Sequence, residues 1–187
     1  MHLAEDIQAC RACETRFRAT ATAHEPRPVT WFRPEARILI SGQAPGLRVH
    51  RSGRPFTDPS GDRLRAWMGV DEATFYDQSR IAIVPMAFCF PGYNEKGADL
   101  PPPTQCAARW RQRVLDALPQ VALTLLVGGA AQRWHLGKGR VTETVAAWRE
   151  HGPEIIPLPH PSWRNNAWLA QHHWLEAELL TVLRRRI

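Results

Sequence analysis

Four short runs of branched apolar residues, each breaking into a loop rich in glycine or proline, constrain this chain more than any other feature. They cover residues 37–41, 80–84, 121–127 and 154–158. Runs this short and this continuously apolar read as strands buried on both faces rather than as helices. Helical spacing appears over 3–17, 60–68, 104–118, 129–135, 141–151 and 167–185, while residues 18–35, with Pro26, Pro28 and Pro34, lose periodicity and form a long loop. Strand alternating with helix is the order of an α/β protein with a parallel sheet of four strands. Its crossovers are right-handed, and ligands gather outside the carboxyl ends of the strands. The expected site therefore lies in the loops that follow the runs, Gly42-Gln43-Ala44-Pro45-Gly46 and His160-Pro161-Ser162 among them. A chain of 187 residues supports one such domain, over 1–187.

The formal charge of +6 and a pI near 9.8 point to a polyanionic partner, with nucleic acid first. All but two of the 24 basic residues are arginines, which fork onto phosphate oxygens; the codon usage of a GC-rich genome accounts for the excess as readily. The run Arg184-Arg185-Arg186 suits either DNA or the C-terminal end of a helix dipole. No apolar stretch is long enough to span a membrane, and the acidic opening lacks the features of an export signal, so the cytoplasm is the expected compartment.

Cys10-Arg11-Ala12-Cys13 is a CxxC beside the first helix, and Cys89 and Cys106 stand seventeen positions apart across a Pro- and Gly-rich loop. No cysteine is left over. In a reducing compartment a disulfide framework is disfavoured, which leaves four thiolates on one metal centre as the economical account. Zinc also fits four thiolates. The plain reading makes Cys89 and Cys106 small buried apolar residues.

The segments Gly42-Gln43-Ala44-Pro45-Gly46, Arg51-Ser52-Gly53-Arg54-Pro55-Phe56-Thr57, Cys89-Phe90-Pro91-Gly92 and His160-Pro161-Ser162 occur in an order that resembles the iron-sulfur, thermophile-type branches of the uracil-DNA glycosylase superfamily. The resemblance runs from about residue 7 to the end of the chain. It implies a three-layer α/β/α sandwich, a monomer, and a 4Fe-4S cluster on Cys10, Cys13, Cys89 and Cys106. It implies a monofunctional DNA repair glycosylase that hydrolyses uracil, or a related deaminated base, from DNA and leaves an abasic site.

The chemistry can be argued beside the resemblance. The base must be flipped out of the helix, stacked and read by hydrogen bonds. It then leaves as an anion while the sugar becomes cation-like, so both charges need stabilising. Phe56 matches the stacking ring, with Gly42, Ala44, Pro45 and Gly46 as a pocket wall; without the motif, Phe56 is a core aromatic. His160 matches the donor to the departing base, and Ser162, Trp163, Arg164 and Asn165 match the loop that wedges into DNA. Trp163 is alternatively an anchor for the last helix.

Two departures mark this chain. Some relatives carry an acid in the first motif that activates water, and here Gln43 stands at its second position, an amide that cannot act as a base. His50, Asp58 and Asp62 are nearby candidates, although Asp58 before Pro59 also reads as a helix N-cap and Asp62 as a first-turn acid. Four positions before Cys89, where iron-sulfur relatives often place an asparagine that reads uracil, this chain has Pro85, which leaves Asn94 as a candidate reader. Two other readings stay open: a protein of the same fold that captures uracil or abasic DNA with little turnover, and a zinc- or iron-sulfur-binding regulatory module.

Overall fold

The computed structural model describes residues 2–137 and 139–187. The four runs form strands β1 (Ile38–Ser41), β2 (Ile81–Ile83), β3 (Leu123–Val127) and β4 (Ile155–Leu158), all parallel and ordered β2-β1-β3-β4. Ile38 of β1 pairs with Ile81 on one side and with Leu123 on the other, and Thr124 of β3 pairs with Ile155. Almost every strand residue is buried, which is why the runs are continuously apolar rather than alternating.

Among the described residues ten α-helices surround the sheet: α1 (His2–Gln8), α2 (Glu14–Arg18), α3 (Leu47–Ser52), α4 (Pro59–Met68), α5 (Glu72–Tyr76), α6 (Thr104–Asp116), α7 (Gly129–Leu136), α8 (Val141–Ala146), α9 (Asn166–Gln171) and α10 (Thr181–Arg184). Successive β1 side chains point to opposite faces and so join different cores. Ile38 and Ile40 pack with Leu64 and Trp67 of α4, Phe75 of α5 and Leu183 of α10. Leu39 packs with Ile7 of α1 and with Trp110 and Val114 of α6. Helices thus cover both faces, and the architecture is the three-layer α/β/α sandwich that the resemblance implied.

Where the structure departs from the periodicity, the causes are local. The helix expected over 3–17 is broken into α1 and α2 by turns at the CxxC, where the Cys10 N–H donates to Ile7 O and the Glu14 N–H donates to Arg11 O, both at 3.0 Å. The stretch 141–151 divides into α8 and a 3-10 turn at Trp148–His151. The stretch 167–185 divides into α9, a π-helical turn at Leu175–Leu180 and α10; at the first break the His172 ring stacks on Trp168 with 4.0 Å between centroids. Helices α3 and α5, of six and five residues, are too short to show a period. Local devices set them: Asp71 caps α5 by accepting from the Thr74 N–H at 2.8 Å, and Gly53, at φ 71°, ends α3 in the left-handed conformation.

Candidate active site

A cleft of about 660 Å³ opens outside the carboxyl ends of the strands, where the parallel order places ligand sites. One wall is the loop after β1, residues 42–46; another is Phe56; Pro85 follows β2, and His160 follows β4. Behind this floor, Arg111 of α6 is almost fully buried and donates to Val84 O at 2.6 Å, to Ser41 Oγ at 2.8 Å and to His135 Nε2 at 2.7 Å. It ties the ends of β1 and β2 just where Gly42 and Pro85 leave the sheet. Burial, and then the neighbouring guanidinium, push His135 down to about 4, so the ring is a neutral acceptor.

Phe56 is held in a conformation that an L-residue adopts only under constraint, with φ at 53°. The constraint is visible. The Tyr76 hydroxyl donates to Pro55 O at 2.8 Å and to Phe56 O at 3.0 Å, and the Arg54 guanidinium lies 3.6 Å over the Tyr76 ring while pairing with Glu72. Beneath the Phe56 carbonyl only a glycine fits, because a Cβ at Gly61 would lie 1.9 Å from that oxygen. The ring tip reaches to 3.9 Å from where a Cβ of Gly42 would stand, so the first motif and the aromatic ring face one space.

His160 is fixed in one tautomer. The Ser162 N–H donates to its Nδ1 at 3.2 Å, which leaves the proton on Nε2 as a donor. Burial keeps the ring below its ordinary value, with Asp58 and Asp99 pulling upward and Arg164 downward. The loop that carries it is clamped: Asn165 Nδ2 donates to His160 O at 2.7 Å, and Arg63 donates to Pro161 O and Ser162 O. Ser162, Trp163, Arg164 and Asn165 all line the cleft, and Trp163 is 72% exposed with the Arg164 guanidinium 5.9 Å over its ring. This exposure distinguishes it from an anchor buried under the last helix.

The remaining candidates divide. Gln43 and Asp58 line the cleft, but Asp58 Oδ1 already accepts from the Ser60 and Gly61 N–H groups as the N-cap of α4. Asp62 pairs with Arg65. His50 is absent from the cleft lining; its ring packs edge-on to His24 at 5.1 Å and beside Phe90, with Nδ1 buried and unpartnered, and burial lowers its pKa. Asn94 also stands outside the lining, and its Oδ1 accepts from the Lys96 and Ala98 N–H groups to hold a turn. That turn presents Asp99 and Leu100 to the cleft, two residues that sequence reasoning missed because nothing local marks them.

The four cysteines converge from three parts of the chain. Cys10 and Cys13 come from the α1–α2 turn, Cys89 follows β2, and Cys106 lies on α6; together they line one small apolar cavity with Ile7, Phe17 and Trp110. Burial first, and then the other three cysteines, push the Cys89 thiol up to about 12, while burial pushes Cys106 up to about 11. Gln105 Nε2 donates to Cys13 Sγ at 3.0 Å. Among the described residues no three such side chains stand close enough to share a single ion. A multi-iron cluster sets its thiolates further apart than one ion does, and its positive charge offsets the cost of burying them. The donor set and the apolar lining fit that group.

The model of the uracil DNA glycosylase superfamily matches residues 29–184. The chain is 31% identical over 175 residues to the type-5 uracil-DNA glycosylase of Thermus thermophilus, covering 83% of this chain and 79% of that protein. It is 24% identical over 169 residues to the type-4 uracil-DNA glycosylase of Sulfurisphaera tokodaii, covering 84% and 72% respectively.

Proposed function

Because the chain belongs to the uracil DNA glycosylase superfamily, we propose that it hydrolyses the N-glycosidic bond of uracil, or of a related deaminated base, in DNA and leaves an abasic site. The observation that carries this reading is His160, whose occupied Nδ1 leaves Nε2–H free in a cleft shared with the Phe56 ring. A base flipped into that cleft stacks on Phe56 and meets the backbone of residues 42–46. As the glycosidic bond breaks, negative charge grows on the base, and a preset N–H donor is stronger toward that anion than toward the neutral base. With Pro85 in the cleft and Asn94 outside it, base identity falls to backbone groups and Gln43. Trp163 and Arg164 at the rim suit unstacking and phosphate contact.

Cys10, Cys13, Cys89 and Cys106 would hold a 4Fe-4S cluster. When bound, it supplies a crosslink between the α1–α2 turn, the β2 loop and α6; the hydrolysis itself needs no electron. The same reading makes the protein a monomer of the cytoplasm, a compartment where free thiols remain available to iron.

The test is His160→Ala on a single-stranded oligonucleotide with one uracil. Removing the donor is expected to lower single-turnover base release about 10²–10³-fold while DNA affinity, read by gel shift, is kept. Unchanged release would remove His160 from the mechanism.

A further inference from the structure

We propose that Asp99 is the group that orients and deprotonates the attacking water, an inference that rests on the glycosylase reading above. Two carboxylates line the cleft, Asp58 and Asp99. Asp58 is committed to the first turn of α4, where one of its oxygens accepts from two backbone N–H groups and the Ser60 hydroxyl. Asp99 is exposed at the cleft and, among the described residues, its carboxylate takes part in no hydrogen bond or ion pair. Of the two, Asp99 is the one that, among the described residues, has both carboxylate oxygens free for water.

Its placement is built into the loop. Residues 92–100 close on themselves: the Leu100 N–H donates to Gly92 O and the Asn94 N–H donates to Ala98 O, both at 2.9 Å. Tyr93 and Asp99 form a bridge, and the Asn94 side chain holds the tip by accepting from the Lys96 and Ala98 N–H groups. Asn94 thus has a place in the loop, as a support for Asp99 rather than as a reader of the base.

Topology sets the direction of approach. The Asp99 loop continues from β2 and His160 from β4, and these strands are the two opposite edges of the sheet. The two side chains nevertheless share one cleft, close enough for the Asp99 charge to favour the protonated form of the imidazole. A nucleophile must reach C1′ from the face opposite the departing base. If the base leaves toward His160, the proton acceptor belongs across the cleft, on the side from which Asp99 enters.

The step balances. The water oxygen forms a bond to C1′, and its proton passes to the Asp99 carboxylate. The bond from C1′ to the base nitrogen breaks, and its electron pair goes to the base, whose oxygen accepts from His160 Nε2–H. The base anion then takes a proton from solvent, and Asp99 releases its own to solvent. Before proton transfer, the same negative charge favours the cation-like sugar. Gln43, an amide that also lines the cleft, is left to position substrate rather than to act as a base.

Asp99→Asn keeps the size of the side chain and removes its basicity. At saturating enzyme on a single-stranded uracil oligonucleotide, it is expected to slow base release by about 10²-fold or more, the worth of a positioned base. Affinity for the same oligonucleotide and the melting temperature are expected to stay at wild-type values. Asp99→Glu, which keeps the carboxylate on a longer stem, is expected to release base faster than Asp99→Asn. Release by Asp99→Asn within about threefold of wild type overturns the assignment, since a base contributes far more than that. So does a loss of rate matched by an equal loss of DNA affinity, which would make Asp99 a part of the binding loop. A wild type that binds uracil DNA and releases no base overturns the glycosylase reading itself, and the inference with it.

Discussion

Phe56 is made specific by neighbours that no local pattern reveals, whereas His160 takes its tautomer from Ser162 within its own motif. The Phe56 backbone sits at φ 53°, a conformation costing on the order of 1–3 kcal/mol, and it persists because Tyr76 holds two consecutive carbonyls and Gly61 leaves room for one of them. Gly61→Ala therefore sets a methyl group against backbone. It is expected to destabilise the fold by about 1–3 kcal/mol in chemical denaturation, with base release falling further than the unfolded fraction explains. A stable, fully active Gly61→Ala would mean that the ring tolerates another position. His160 and Phe56 were legible because each stands in a sequence motif. Tyr76 and Gly61 were not, since their roles come from contacts with Phe56, and Asp99 was not, since only the closure of its loop brings it to the cleft.

The strands were legible and the helix ends were not. Burial on both faces writes strands as unbroken apolar runs, and all four lie within the expected intervals. Helices of five or six residues span too few turns to show a period, so α3 and α5 escaped notice, while α1 and α2 merged across a turn that the CxxC itself makes. That turn matters for the proposed cluster, because it brings two thiols to the cavity lined by Cys89 and Cys106. Cys10→Ala takes one ligand from the proposed crosslink between three elements. In the proposed cluster-bearing protein it is expected to bleach the visible absorbance and to lower stability by several kcal/mol, on the order of a lost structural metal bond set, as read by absorbance and thermal melting. A colourless wild type carrying stoichiometric zinc would contradict the iron assignment.

At the scale of the molecule, three histidines bind protons less readily in the folded chain than their ordinary value of 6.5: His50, His135 and His160, each chiefly through burial. The unfolded chain takes up those protons first as the pH falls. The stability that depends on the neutral rings is therefore complete above pH 6.5 and is lost as pH falls toward about 4, the value for His135. Melting temperatures are expected to be level from pH 8 to pH 7 and to drop between about pH 6.5 and pH 5. A level profile down to pH 5 would show that these rings meet no such penalty. The net charge of +6 favours a polyanion, and the cleft at the strand ends, with the exposed Trp163 in its lining, offers a place for one base to be delivered inward. The most direct test of that account is single-turnover incubation of the wild-type protein with an oligonucleotide bearing one uracil and with the matching thymine strand, with the free base separated and measured. Release of one uracil per strand with an alkali-labile abasic product, and none from thymine, is the predicted result; DNA binding with no free base from the uracil strand would contradict it.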